Sequence, residues 1–189
     1  GRIGIWRSGF KPSGLGSGIE TGGRLSVGHP FNPVYLLPVV ERVSAGSDAK
    51  AHADVLSGIG MYPLEIGAEI DAHIADRLLE AVWREALWLV NDGIATTEEI
   101  DDAIRYGFGL RWAQMGLFET YRIAGGEGGM AHFIRQFGPA LKWPWTKLMD
   151  VPELTDDLIE RIGAQSDAQS GHLTIRELER LRDTNLVAM

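Results

Sequence analysis

The sequence predicts a mainly α chain with a small α/β part near its start. Between Arg24 and Val43 the residues are apolar, often β-branched and punctuated by proline, which is the pattern of short strands and turns. Beyond Gly67 apolar residues recur every three or four positions, the period of amphipathic helices. Two capping-box sequences, Thr96 to Glu99 and Thr174 to Glu177, then open helices in the second half.

Taken in order, the stretch from Gly1 to Gly23 holds eight glycines and shows no strong periodicity. It reads as a cut through a larger protein, or else as a flexible glycine-rich terminus. Leu25 to Val27 and Val34 to Val43 read as two strands around a Pro-Phe-Asn-Pro turn. A helix over 48–61, ending near Gly58 or Gly60, leads to a short strand over 62–66. Ile74, Leu78, Val82, Ala86 and Leu89 mark a helix of about five turns that stops at Asn91-Asp92-Gly93. Thr96 caps the next helix, for which Gly107 is the natural stop. Further helices are predicted over 117–123, 129–137, 156–165 and 174–186. The division expected is 1–66 for the α/β part and 67–189 for the helical part.

Of the 189 residues, 44% are hydrophobic and 23% charged, which suits a globular protein with a substantial core. Lys and Arg total 18 against 26 Asp and Glu, a formal charge of −8, so a nucleic-acid partner is not expected. With no Cys, thiolate metal sites, disulfides and Cys nucleophiles are excluded, and a reducing cytoplasm suits the composition. No apolar run approaches the ~20 residues that cross a bilayer, so a cytoplasmic protein without membrane partners is expected.

The chemistry-bearing segment is His29-Pro30-Phe31-Asn32-Pro33, with Glu41 twelve residues after the histidine. A histidine at a strand end, held by a turn that prolines stiffen, is placed to exchange a proton near neutral pH. A carboxylate on the adjacent strand would take its other ring N–H and fix the tautomer. The residues alone also allow a surface or structural histidine. His52, His73, His132 and His172 are scattered, lack metal-ligand spacing and read as solvated or helix-terminal, so no metal is assigned.

The run Leu25 to Glu41 resembles the catalytic signature of the 3-hydroxyacyl-CoA dehydrogenase family. The strings His73 to Trp88, Phe108 to Gly116, Lys142 to Trp145 and Ser166 to Gln169 extend the likeness over nearly the whole chain. The resemblance implies the C-terminal end of a Rossmann sheet followed by a helical 6-phosphogluconate/3-hydroxyacyl-CoA dehydrogenase-like C-terminal domain. It further implies NAD-dependent oxidation of a 3-hydroxy acid, with His29 as base, Glu41 as its partner and Ser8 as a further catalytic residue. Ser8 and Asn32 are expected near the cofactor and the substrate oxygen, Phe31 and Ile74 beside the substrate, and a homodimer built by the helical part.

Within the family the helical strings point to a branch whose substrate carries a quaternary ammonium and a carboxylate in place of CoA. Asp76 stands where the acyl-CoA enzymes have Asn, and an ionised Asp donates no hydrogen bond. It is read either as a helix first-turn acid or as a partner for the cation. Trp112, Phe118 and Phe137 offer aromatic faces to such a group, or serve packing, while Lys11, Arg77 and Arg111 are candidates for a carboxylate clamp. No Gly-x-Gly-x-x-Gly occurs, so the pyrophosphate site is expected outside this chain, and weak NAD affinity with it. Another 3-hydroxyacyl or 3-hydroxyacid dehydrogenase, or an inactive dimerisation module, are the alternative readings.

Overall fold

The architecture comes from a computed structural model, which describes residues 3–6, 11–17, 25–44, 49–142, 155–170, 172–174, 177, 180, 184 and 187–188. The chain is mainly helical with one small sheet. It divides into two compact units, Gly1–Glu80 with Ile175–Met189, and Ala81–Thr174. The chain leaves the first for the second within one long helix.

The first unit holds a four-stranded sheet in the order β1 (Ile3–Trp6), β2 (Leu25–Pro30), β3 (Val39–Ser44), β4 (Tyr62–Glu65). β1 and β2 run parallel, β2 and β3 antiparallel, and β3 and β4 parallel. A short helix α1 (Pro12–Gly16), opened by a proline whose missing N–H costs nothing at a helix start, lies between β1 and β2. Helix α2 (Ala49–Gly58) lies between β3 and β4. The sequence pattern does not announce β1 and α1, because the glycines around them hide any period. Leu25, Val27, Val40 and Val43 are buried in the sheet with Leu56 of α2, each contributing roughly 1.5–3 kcal/mol of apolar transfer.

Two expectations need revision here. The strand expected to start at Val34 begins only at Val39. Residues 34–37 form a turn in which the Pro33 carbonyl accepts the N–H groups of Leu36 and Leu37, so Val34 and Tyr35 face solvent despite their strand-like character. Gly107 interrupts the helical backbone, with φ −109° and ψ −117°, but the chain does not stop there. It resumes at once in α5.

The long helix α3 (His73–Asn91) ends at Gly93, whose φ of +68° is the left-handed conformation that glycine adopts freely. In the second unit, α4 (Thr97–Ala103) opens with the predicted capping box. The Thr96 hydroxyl accepts the Glu99 N–H at 3.2 Å, and the Glu99 carboxylate accepts the Thr96 N–H at 2.8 Å.

Helix α5 (Gly109–Ala124) begins earlier than its periodicity suggests and is broken at Gly116, where φ is +69°. Gly109 itself is required by contact, since a Cβ there would lie 2.5 Å from the Ile104 carbonyl oxygen. Helices α6 (Gly129–Phe137) and α7 (Asp156–Ser170) follow in this unit. Phe133 links Tyr121 to Phe137, with ring centroids 4.7 and 4.9 Å apart. The helix expected over 174–186 falls largely outside the described residues, as do Ser8, Trp143 and Trp145. Among the described residues no helix is long and apolar enough to cross a membrane.

Candidate active site

The site is assembled by the β2–β3 register. Side chains alternate between the faces of a strand, and directly opposed residues of antiparallel strands share a face. His29 and Glu41 are register partners, so they meet. The next pair, Gly28 and Arg42, faces the other way. There the buried Arg42 binds the Glu65 carboxylate and the Ser26 and Ser44 hydroxyls.

His29 Nδ1 lies 3.0 Å from Glu41 Oε2, and both residues are buried, Glu41 completely. The other carboxylate oxygen, Oε1, accepts the backbone N–H groups of Ile74 and Ala75, each at 3.0 Å. These are free donors of the first turn of α3, where a carboxylate also gains from the helix dipole. A carboxylate anchored in this way offers only lone pairs to the imidazole. The hydrogen of this bond therefore sits on Nδ1, which leaves Nε2 as the ring nitrogen available for proton exchange.

Nε2 faces Asp76 Oδ2 at 3.5 Å, with Asp76 one-third exposed. The imidazole thus stands between two carboxylates, one buried and fixed, one at the edge. The Phe31 ring meets the His29 ring edge-on at a centroid distance of 5.6 Å. His73 stacks on the same imidazole at 4.7 Å with 25° between the planes. It is helix-terminal, as read from the sequence, but buried rather than solvated. Burial first, and then the neighbouring His29, hold its pKa below the ordinary histidine value against the opposing pull of Glu41 and Asp76.

His29, Phe31, Glu41, Ile74 and Asp76 are therefore brought together within the first unit. Asn32 lies on the exposed turn directly after Phe31 and is joined to Pro33 by a cis peptide bond. Trp112, Phe118 and Phe137 belong to the second unit, where Trp112 tilts against Phe108 at 4.6 Å, Phe137 against Phe133, and Phe118 is exposed. Of the clamp candidates, Lys11 pairs with Asp71 at 2.8 Å and lines, with Arg77, Glu69 and Glu80, an open cavity of about 460 Å³. Its carboxylates outnumber its cations, so it does not single out a seat for an anion.

The sequence reading missed His73. Its only signal was position, immediately before the two residues that hold Glu41.

Residues 73–159 match the family model of the 3-hydroxyacyl-CoA dehydrogenase C-terminal domain. Over 96% of its length the chain is 71% identical to an L-carnitine dehydrogenase/betainyl-CoA thioesterase of Agrobacterium fabrum, and it covers 38% of that protein. It is 57% identical to an L-carnitine dehydrogenase of Mesorhizobium japonicum over 99% of the chain, and covers 53% of it. The chain therefore spans less than two thirds of the length of these curated relatives. In fold it is similar to a solved 5-formyl-3-hydroxy-2-methylpyridine 4-carboxylic acid 5-dehydrogenase, described as an NAD+ dependent dismutase. That match has a TM-score of 0.70 at 19% identity and covers 99% of this chain and 62% of the other.

Proposed function

We propose that this chain, whose residues 73–159 match the model of the 3-hydroxyacyl-CoA dehydrogenase C-terminal domain, carries the proton-transfer centre of an enzyme that oxidises L-carnitine at its C3 hydroxyl. The observation that carries the proposal is the buried His29–Glu41 pair, in which Nδ1 meets a carboxylate that is itself anchored by two backbone N–H groups, leaving Nε2 as the ring nitrogen turned away from Glu41. The likeness to enzymes named L-carnitine dehydrogenase supplies the substrate.

His29 Nε2 takes the hydroxyl proton while the C3 hydrogen leaves as hydride and the C–O bond becomes a carbonyl. Bound NAD supplies the hydride acceptor. The imidazolium that forms is balanced by Glu41, whose own charge is held by the start of α3. What fits the cofactor here is the reacting end: His29 lies at the C-terminal end of β2, parallel to β1, and doubly wound sheets bind their ligands beyond strand ends of this kind. We assign Asn32, and Ser8 outside the described residues, to that end of the site.

Asp76 takes the trimethylammonium group. Carnitine places its nitrogen one carbon from the carbinol carbon, so a carboxylate close to Nε2 is within reach of the cation when the hydroxyl meets His29. Phe31, whose ring meets the His29 ring edge-on, and Ile74, exposed at the start of α3, are assigned to the apolar surface around the cation. In the helical unit Trp83, Leu110 and Phe118 are large apolar residues left exposed, which supports assembly as a homodimer.

The test is substrate choice by the natural protein that contains this chain, with NAD supplied. Desolvated cation–π and carboxylate contacts of about 2 kcal/mol give a roughly thirtyfold preference for L-carnitine over its tert-butyl analogue, in which carbon replaces nitrogen. Comparable kcat/KM for the two would show that shape rather than charge selects the substrate. The reading would then revert to a general 3-hydroxyacid dehydrogenase.

A further inference from the structure

His73 has an environment that packing alone does not call for. It is 2% exposed, yet its Nδ1 has no hydrogen-bond partner. Its φ of +57° follows one of +62° at Ala72, two consecutive left-handed residues that are not glycine. Each costs on the order of 1–2 kcal/mol, and backbone strain of this kind persists where the surroundings demand a particular placement. The placement it produces is specific. The turn delivers the His73 ring face-on to His29, and delivers the N–H groups of the next two residues to Glu41.

We propose that His73 is a positioning residue for the His29–Glu41 pair. Its uncharged ring, stacked on the His29 imidazole, holds the plane in which Nδ1 meets Glu41 and Nε2 faces the reacting hydroxyl. Glu41 holds the Nδ1 end of the imidazole and Phe31 meets its edge, while the His73 ring lies on its face and restrains the torsion that tilts the ring plane. The charged or titratable groups around His73 are His29 on β2, Glu41 on β3 and Asp76 on α3 itself. Once His29 has taken up the hydroxyl proton, a protonated His73 would set two cations face to face. Its lowered pKa is consistent with an uncharged working ring.

This inference rests on the proposed role of His29, but its test does not need turnover. In the natural protein with isotopically labelled histidine, the His29 Nδ1–H resonance reports the Glu41 hydrogen bond. Wild type and His73→Phe, which keeps an aromatic face, are expected to show that proton shifted downfield and protected from exchange at neutral pH. His73→Leu fills the space without a ring face and is expected to lose it while remaining folded.

In turnover, His73→Leu should lower kcat by about 10- to 100-fold with little change in KM, the usual cost of misplacing a reacting group, and His73→Phe should restore it. A folded His73→Leu protein that keeps both the resonance and kcat overturns the inference. If the Leu variant does not fold, the Phe variant decides: loss of the resonance from a folded protein overturns the inference, and retention supports it. If wild type shows the resonance but does not oxidise carnitine, the functional reading falls and the positioning role stands.

Discussion

Glu41 Oε1 accepts the backbone N–H of Ile74 at 3.0 Å, and this bond joins β3, which carries Glu41, to the first turn of α3. One carboxylate therefore serves two purposes, closing a helix start with one oxygen and orienting an imidazole with the other.

The two purposes separate on substitution. Glu41→Gln can still accept from Ile74 and Ala75 through its carbonyl oxygen, so the fold should change little. Its amide nitrogen then faces His29 Nδ1 and favours the tautomer with hydrogen on Nε2, so kcat should fall by about 10². Glu41→Ala leaves both N–H groups without their partner and should also cost about 1–3 kcal/mol in urea unfolding. Equal stability and equal turnover for the two variants would mean that the carboxylate is not shared in this way.

Asp76 supplies the second carboxylate at Nε2. Asp76→Asn keeps size and shape and removes the charge, so the preference for L-carnitine over the uncharged tert-butyl analogue should shrink several-fold. The change should appear mainly in KM for carnitine, measured at saturating NAD. An unchanged ratio would return Asp76 to the role of a first-turn acid.

His73 makes a prediction about stability and pH. Its pKa is lowered in the folded protein, chiefly by burial, so below the ordinary histidine value of about 6.5 the unfolded chain binds a proton that the native state refuses. Stability should be intact above that value and decline as the pH falls below it, levelling only when the native residue also protonates. His73→Phe should remove this component. Thermal unfolding of both proteins between neutral and mildly acidic pH checks it, and parallel curves would contradict it.

The Thr96 cap is an exposed local feature of the second unit, so its contribution can be isolated. Thr96→Ala loses the hydroxyl that accepts from Glu99 N and should cost about 1 kcal/mol. The bonds from Thr96 hold the Glu99 pKa below the ordinary carboxylate range, so any stability from this charge is lost as the pH falls through that lowered value. Chemical denaturation of the pair of proteins at neutral and acidic pH measures both effects.

What the sequence revealed follows from range. The α3 boundaries, the Thr96 box and β4 are set by neighbours a few residues apart, and the structure agrees with them closely. His29 and Glu41 were legible because the family pattern keeps both at a fixed spacing, and the β2–β3 register brings them together. The turn at 34–37 was obscured by residues that favour strands elsewhere, because the bonds to the Pro33 carbonyl outweigh propensity. The role of His73 was hidden for another reason: it depends on left-handed backbone at Ala72 and His73, which no periodicity predicts. The approach of Asp76 to Nε2 likewise follows from where α3 starts against the sheet, not from spacing along the chain.

The central claim is that His29, set by Glu41, accepts the proton of a carnitine hydroxyl. Its most direct test is the rate of NADH formation from L-carnitine by the natural protein, compared with that of its His29→Ala variant at equal folded concentration. The account predicts measurable oxidation by wild type, a loss of about 10² to 10⁴ in kcat in the variant, and nearly equal NAD affinity. Wild-type turnover by the variant would contradict it.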